Sequence, residues 1–162
     1  KATLAVMQHG RTYVALNTHG TPTAAFVKNP DWQFPGGHCE AAVRHSVGDA
    51  LVGAFDAEQV AVQLVGDSIY TNPLMLGYAW QQGRVPLTHA ALMRAIELNG
   101  VQVDNNKAAF EWGRHCAHDL ASVQALFSGT FTGGELGSVE QLAGRLDGMF
   151  WKERKLGCTT II

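Results

Sequence analysis

The sequence predicts an α/β domain with few strands and a largely helical C-terminal portion, a partial three-layer arrangement. Three observations predict it. Two short runs rich in β-branched and aromatic or apolar residues, RTYVALN (11–17) and LVGAF (51–55), read as strands. A helical pattern lies between them and another follows the second. From Gly66 onward the pattern is almost entirely helical. Strand–helix–strand–helix alternation is the signature of helices layered on a sheet. Two strands do not complete a doubly wound sheet. Either more strands lie in the loops, or part of the sheet lies outside this chain.

Taken in order, residues 1–8 (KATLAVMQ) form a short helix or the last turns of one, stopped by His9-Gly10. Residues 11–17, with apolar Val14 and Leu16, are expected to form a buried first strand. THGTPT (18–23) turns the chain away from the strand end. Residues 24–37 carry breakers at Asn29-Pro30-Asp31 and Pro35-Gly36-Gly37, with Trp32 and Phe34 between them, the pattern of a long loop. HCEAAVRHSV (38–47) has helical spacing at Ala41, Ala42 and Val43. After the second strand, Asp56 is placed to cap a helix over 57–65. Its carboxylate can accept a first-turn amide, and Glu58 suits the positive end of the dipole.

GDSIYTNPLMLGYAWQQGR (66–84) is the least ordinary stretch. Asn72-Pro73 predicts a helix start, with Asn as N-cap and Pro at the first helical position. Gly77 falls inside this helix at a cost of about 1 kcal/mol relative to Ala, which suits a place where another backbone or ring comes close. Gly83 ends it. Thr88 caps the next helix, with Leu92, Ala95, Ile96 and Leu98 on the core face and Asn99-Gly100 as the stop. A further helix spans 104–120. The tail, 138–155, is amphipathic, with Ser138 and Gln141 as a capping box and Val139, Leu142, Leu146, Met149 and Phe150 as its stripe.

The candidate site residues are few. Asp67, Ser68 and Asn72, with Thr71, supply either capping and turn chemistry or a helix N-terminus that faces a ligand or partner. First-turn amides can hold an anion. His19 follows a strand end, the edge where α/β proteins place their sites, and titrates near neutral pH. It is a general-base candidate or a turn residue, and no nucleophile or carboxylate partner stands at a telling spacing from it. His115 and His118 share a helix face, but a metal site needs further ligands that no motif places. Neither G-x-G-x-x-G nor G-x-x-x-x-G-K-[ST] occurs, and the glycine-rich run 129–137 lacks a phosphate-binding helix after it.

Composition narrows the classes. The chain has 162 residues, 46% of them apolar, enough for one domain with a core. A net charge of −2, without any block of like charges, argues against a nucleic-acid partner. No apolar run reaches the ~18–20 residues that span a bilayer, and no signal peptide is visible, so no membrane partner and a cytoplasmic location are expected. Cys39, Cys116 and Cys158 are scattered, the pattern of reduced thiols. The chain opens at Lys1 without Met, which fits processing or a segment of a longer polypeptide.

Residues 66–119 resemble the C-terminal half of the gamma-type domain of 2-oxoacid:ferredoxin oxidoreductases, most of all the bacterial fused indolepyruvate enzymes. The matching pieces are GDSI-x-TN, MLGYAWQ-x-G, RAIELNGV and N-x-x-AF-x-WGR. RTYVALNTHGTPTAAFVKNPDWQFP (11–35) resembles the same domain's strand and following loop. The resemblance implies a parent enzyme that oxidatively decarboxylates arylpyruvates or other 2-oxoacids to acyl-CoA. It would use thiamine diphosphate and iron–sulfur clusters and pass electrons to ferredoxin. The glycine-rich opening of that domain, the thiamine-diphosphate segments and the cluster-binding cysteine groups are not in this sequence. The expectation is therefore a single-domain piece, 1–162, of a larger gamma-type domain. It would divide into a strand–helix part (1–65), a helical part (66–120) and a loop with tail helix (121–162). It would bind no cofactor itself and be inactive alone, with the parent's other domains or subunits as partners. Asp67, Ser68 and Asn72 would shape a surface facing those domains. The rival from another class is a free-standing interaction module that binds through Trp32, Phe34 and the tail helix.

Overall fold

The computed structural model describes residues 2–20 and 36–127. In chain order these form α1 (Ala2–Ala5), β1 (Val14–Asn17), α2 (Gly36–Val47), a 3₁₀ turn (Asp49–Leu51), β2 (Val52–Phe55) and α3 (Ala57–Val65). A second 3₁₀ turn (Ser68–Tyr70) then leads into α4 (Thr71–Gln81), α5 (His89–Asn99), α6 (Val103–His118) and α7 (Leu120–Ala125). The described structure is mostly helical, with one small sheet. β1 and β2 pair in parallel, Val14 opposite Val52 and Asn17 opposite Phe55. Parallel neighbours need a crossover, and α2 lies within it.

Helix boundaries follow cap chemistry where the caps are strong. Asp56 accepts the Gln59 amide at 2.8 Å and opens α3, and Gly66 closes it in the left-handed region. Thr88 Oγ1 accepts the Ala91 amide at 3.2 Å to open α5, and Gly100 closes that helix with φ 70°. α4 ends in a Schellman turn. The Gly83 amide donates to Trp80 O at 2.8 Å and the Arg84 amide to Ala79 O at 3.0 Å, with Gly83 at φ 71°.

Four expectations need correction. Asn72 is not an N-cap and Pro73 does not start the helix. Asp67 caps the 3₁₀ turn ahead of them, and that turn runs directly into α4, which puts Asn72 and Pro73 inside the first helical turn. Pro73 is tolerated there because first-turn amides lack an intrahelical acceptor. The helix expected over 104–120 breaks at Asp119, which leaves helical geometry and caps α7 by accepting the Ser122 amide at 3.1 Å. Ala95 and Leu98 are not on a core face; both are exposed, Leu98 at 71%. On α5 only Leu92 is fully in the core, because that helix meets α6 over a short stretch and leaves a surface groove lined by Pro73, Leu76, Leu92, Ala95, Ile96, Asn99 and Asn106. α2 starts at Gly36, so Gly36 and Gly37 are helical rather than breakers. Trp32, Phe34, 129–137 and the tail helix lie outside the described residues.

The core forms where α4 and α6 cross beside α3 and the sheet. Leu74, Phe110, Val60 and Val123 are fully buried, with Phe55, Tyr70, Tyr78, Trp112 and Cys116 nearly so. Two helical glycines set how close α4 and α6 come. A Cβ on Gly77 would overlap the carbonyl oxygen of Phe110, and one on Gly113 would overlap that of Leu74. This is the close backbone approach that Gly77 implied, and Gly113 is its counterpart. Gly53 of β2 plays the same part on the sheet. A Cβ there would meet the Tyr13 and Tyr78 hydroxyls. Those two phenols are hydrogen-bonded; burial, with Tyr78 beside it, pushes the Tyr13 phenol up to about 12. The Arg84 guanidinium lies 4.5 Å from the Tyr13 ring centre.

Candidate functional site

The carboxyl ends of β1 and β2 lie side by side, as parallel pairing requires, and the residues just past them converge. Asn17, the last residue of β1, turns its side chain across to the start of α3. Its Oδ1 accepts the Ala57 amide at 3.0 Å and the His19 amide at 3.1 Å. The Thr18 amide donates to Phe55 O at 3.0 Å, which continues the pairing by one step. Together these fix the turn after β1 against the N-terminus of α3.

His19 then reaches Asp56. Its Nδ1 lies 3.2 Å from Asp56 Oδ1 and 3.1 Å from Oδ2, and its Nε2 lies 3.5 Å from Glu58 Oε1. The three side chains are each about one-third exposed, at 35%, 35% and 31%. The hydrogen bond to Asp56 raises the imidazole above its ordinary 6.5, and the charges of Asp56 and Glu58 act in the same direction, opposed by desolvation. A histidine held by a carboxylate on one nitrogen is the arrangement that fixes a tautomer for proton transfer. Here the second nitrogen also faces a carboxylate.

This pairing was missed at the sequence level because His19 and Asp56 are 37 positions apart. A usable signal was present. Both follow a predicted strand within two residues, and the ends of adjacent parallel strands are neighbours.

Asp67, Ser68 and Asn72 lie elsewhere. α3 has nine residues, which is about 13.5 Å of helix, and His19 sits at its N-terminus while Asp67 follows its C-terminus. The structure therefore does not join His19 to the other three. Asp67 Oδ1 accepts the Ile69 amide at 2.9 Å, and Thr71 Oγ1 donates to the Ser68 carbonyl at 2.7 Å. Asp67, Ser68 and Asn72 are exposed, and Ile69 among them is 64% exposed. Tyr70 points inward, where its hydroxyl accepts from Asn105 Nδ2 at 2.9 Å and ties this corner to the start of α6.

His115 and His118 are on the last turn of α6, and no group of three or more His, Cys, Asp or Glu among the described residues could hold a metal ion. Among the described residues, no helix is long and apolar enough to cross a membrane. No protein-family model matches this chain, and neither does any curated protein or solved structure.

Proposed function

We propose that this chain is the C-terminal part of the gamma-type domain of a cytoplasmic 2-oxoacid:ferredoxin oxidoreductase, of the kind that acts on arylpyruvates such as indolepyruvate. The whole enzyme would decarboxylate the 2-oxoacid oxidatively to acyl-CoA, with thiamine diphosphate, iron–sulfur clusters and ferredoxin supplied through other domains. This segment would be structural, a part of a three-layer α/β unit whose remaining strands lie beyond the two described.

One observation carries the reading. MLGYAWQ and AF-x-WGR, quoted for the resemblance, are distant in sequence yet are the two sides of one contact. Gly77 of the first stands against Phe110 of the second, and Gly113 of the second against Leu74, beside the first. Pieces that meet in this way form one structural unit, as two motifs of one domain would. The surface Asp67, Ser68, Ile69 and Asn72 supports the second half of the reading. It places an exposed apolar side chain among polar ones, as a face that meets neighbouring domains does.

The test is made on the native polypeptide that carries this sequence. An antibody against 66–84 on a denaturing blot gives its size, and the purified species is assayed for viologen reduction that needs both arylpyruvate and CoA. A band many times 17.4 kDa with that activity is expected. A band near 17.4 kDa, without the activity, overturns the proposal in favour of a free-standing interaction module.

A further inference from the structure

The His19 cluster has a property that follows from its geometry. The ring lies between two carboxylates, Nδ1 on Asp56 at 3.1 Å and Nε2 facing Glu58 at 3.5 Å. An imidazolium donates from both nitrogens and suits both neighbours. A neutral imidazole carries one N–H. In either tautomer its other nitrogen turns a lone pair on a carboxylate, so one of the two contacts becomes repulsive. The neutral ring therefore keeps at most one of the two carboxylates as a hydrogen-bond partner.

The backbone around it is held in a different way. Asn17 Oδ1 accepts the His19 and Ala57 amides, and neither contact depends on pH. Asp56 Oδ1 also accepts the Gln59 amide, so Asp56 stays in place as the cap of α3 when the histidine moves. The turn after β1 is thus joined to α3 by one permanent link and one that depends on a proton. Among the described residues, the titratable groups facing the ring are Asp56 and Glu58, both from the N-terminus of α3; β1 contributes only the uncharged Asn17.

We propose that His19 is a proton-operated clamp, which in its doubly protonated form spans Asp56 and Glu58 and fixes the turn Thr18–Gly20 against the start of α3, and on losing one proton lets that turn come away from one carboxylate. The sign follows from linkage. The folded form holds the proton more tightly than an unfolded chain, so the clamp is complete below pH ~6.5 and opens as pH rises through the higher folded value. The inference is independent of the oxidoreductase reading, since it uses only the geometry of the turn.

The experiment is an NMR titration of the full chain from pH 5 to 9. It follows the imidazole carbons and nitrogens together with the backbone amides of His19, Ala57 and Gln59. The seven histidines are separated by the loss of one signal in His19→Gln. Three results are expected. His19 titrates above the ordinary histidine value, the three amides shift with the same midpoint, and the amide step vanishes in His19→Gln. Asp56→Asn, which keeps an N-cap side chain and so spares the helix, should lower the midpoint more than Glu58→Gln does. An ordinary or lowered midpoint in the unmodified chain overturns the proposal. So do amides that fail to follow the histidine, or a midpoint indifferent to both substitutions.

Discussion

The closest test of the fold is Gly113→Ala. In an exposed helix this change stabilises, because Ala exceeds Gly in helix propensity by about 1 kcal/mol. Here the new methyl would overlap the carbonyl oxygen of Leu74, and the Tyr78 amide nitrogen is also too close. Both obstacles are backbone, so no side chain can swing aside and the two helices must separate. Inserting a methyl into a packed core costs about 1–3 kcal/mol, and a rigid obstacle puts this site at the upper end or beyond. Subtracting the propensity gain leaves a net loss of about 2 kcal/mol. With an m-value of about 2 kcal/mol/M in urea, the midpoint should fall by roughly 1 M at unchanged slope. Gly77→Ala, from the facing helix, should behave alike, since its methyl would meet Phe110 O. Gly37→Ala is the control. It is also helical but has nothing within 4 Å of the added carbon, and should be neutral or slightly stabilising. Urea unfolding followed by circular dichroism measures all three. If Gly113→Ala matched Gly37→Ala, α4 and α6 would not pack as described, and the argument linking the two motifs would fail with it.

Three further outcomes follow. Under the proposed function, Asn72→Ala in the native polypeptide should lower arylpyruvate-dependent viologen reduction more than it lowers stability, because Asn72 is exposed and caps nothing; a loss of folding with full specific activity in the folded fraction would contradict this. Asp119→Ala should cost about 1 kcal/mol through the lost cap of α7. Hydrogen bonds from Ser122 hold the Asp119 carboxyl below its ordinary 3.8, so its contribution is present above that value and fades as pH falls through the lower folded one; a cost unchanged at pH 2 would refute the assignment. In a Cys158→Ser background at pH 8, a thiol reagent should label exposed Cys39 quickly and Cys116 only on unfolding, since burial pushes the Cys116 thiol up to about 12; equal labelling rates in the native chain would refute the burial.

Local chemistry was legible in the sequence, and long-range chemistry was not. Asp56, Thr88, Gly83 and Gly100 each act within one helical turn, and each marks the boundary it was expected to mark. The same local logic failed at Asn72, because two capping residues stand only five positions apart. Asp67 reaches the Ile69 amide first, and the 3₁₀ turn it starts runs straight into α4, so Asn72 lies inside the helix rather than ahead of it. Leu98 failed for another reason. Apolar spacing tells which side chains share a face, but not whether a neighbour covers that face, and past Leu92 the α5 face lies open along a groove. His19 was legible as a strand-end residue. Its partners were hidden because they come from the other strand, and the pairing of those strands is a tertiary fact.

The two groups of candidate residues also differ in what constrains them. Around Gly66, the residues that make the sequence distinctive are mostly occupied within the chain: Tyr70 with Asn105, Gly77 with Phe110, Tyr78 with Phe55, and Trp80 Nε1 with the Leu87 carbonyl at 2.7 Å. A residue bound in this way specifies the fold, and under the proposed function the role toward a neighbour would fall to the exposed few, Asp67, Ser68, Ile69 and Asn72. At the other end of α3 the order is reversed. The turn is already held by Asn17 and by the Thr18 amide on Phe55 O, and the His19 contacts add to these. A third-exposed ion pair contributes about 0–1 kcal/mol, too little to explain an imidazole between two carboxylates as a stabilising device. What the proposed clamp would supply is a dependence on one proton, held more tightly than by an ordinary imidazole, at the edge of a parallel sheet where α/β folds place their chemistry.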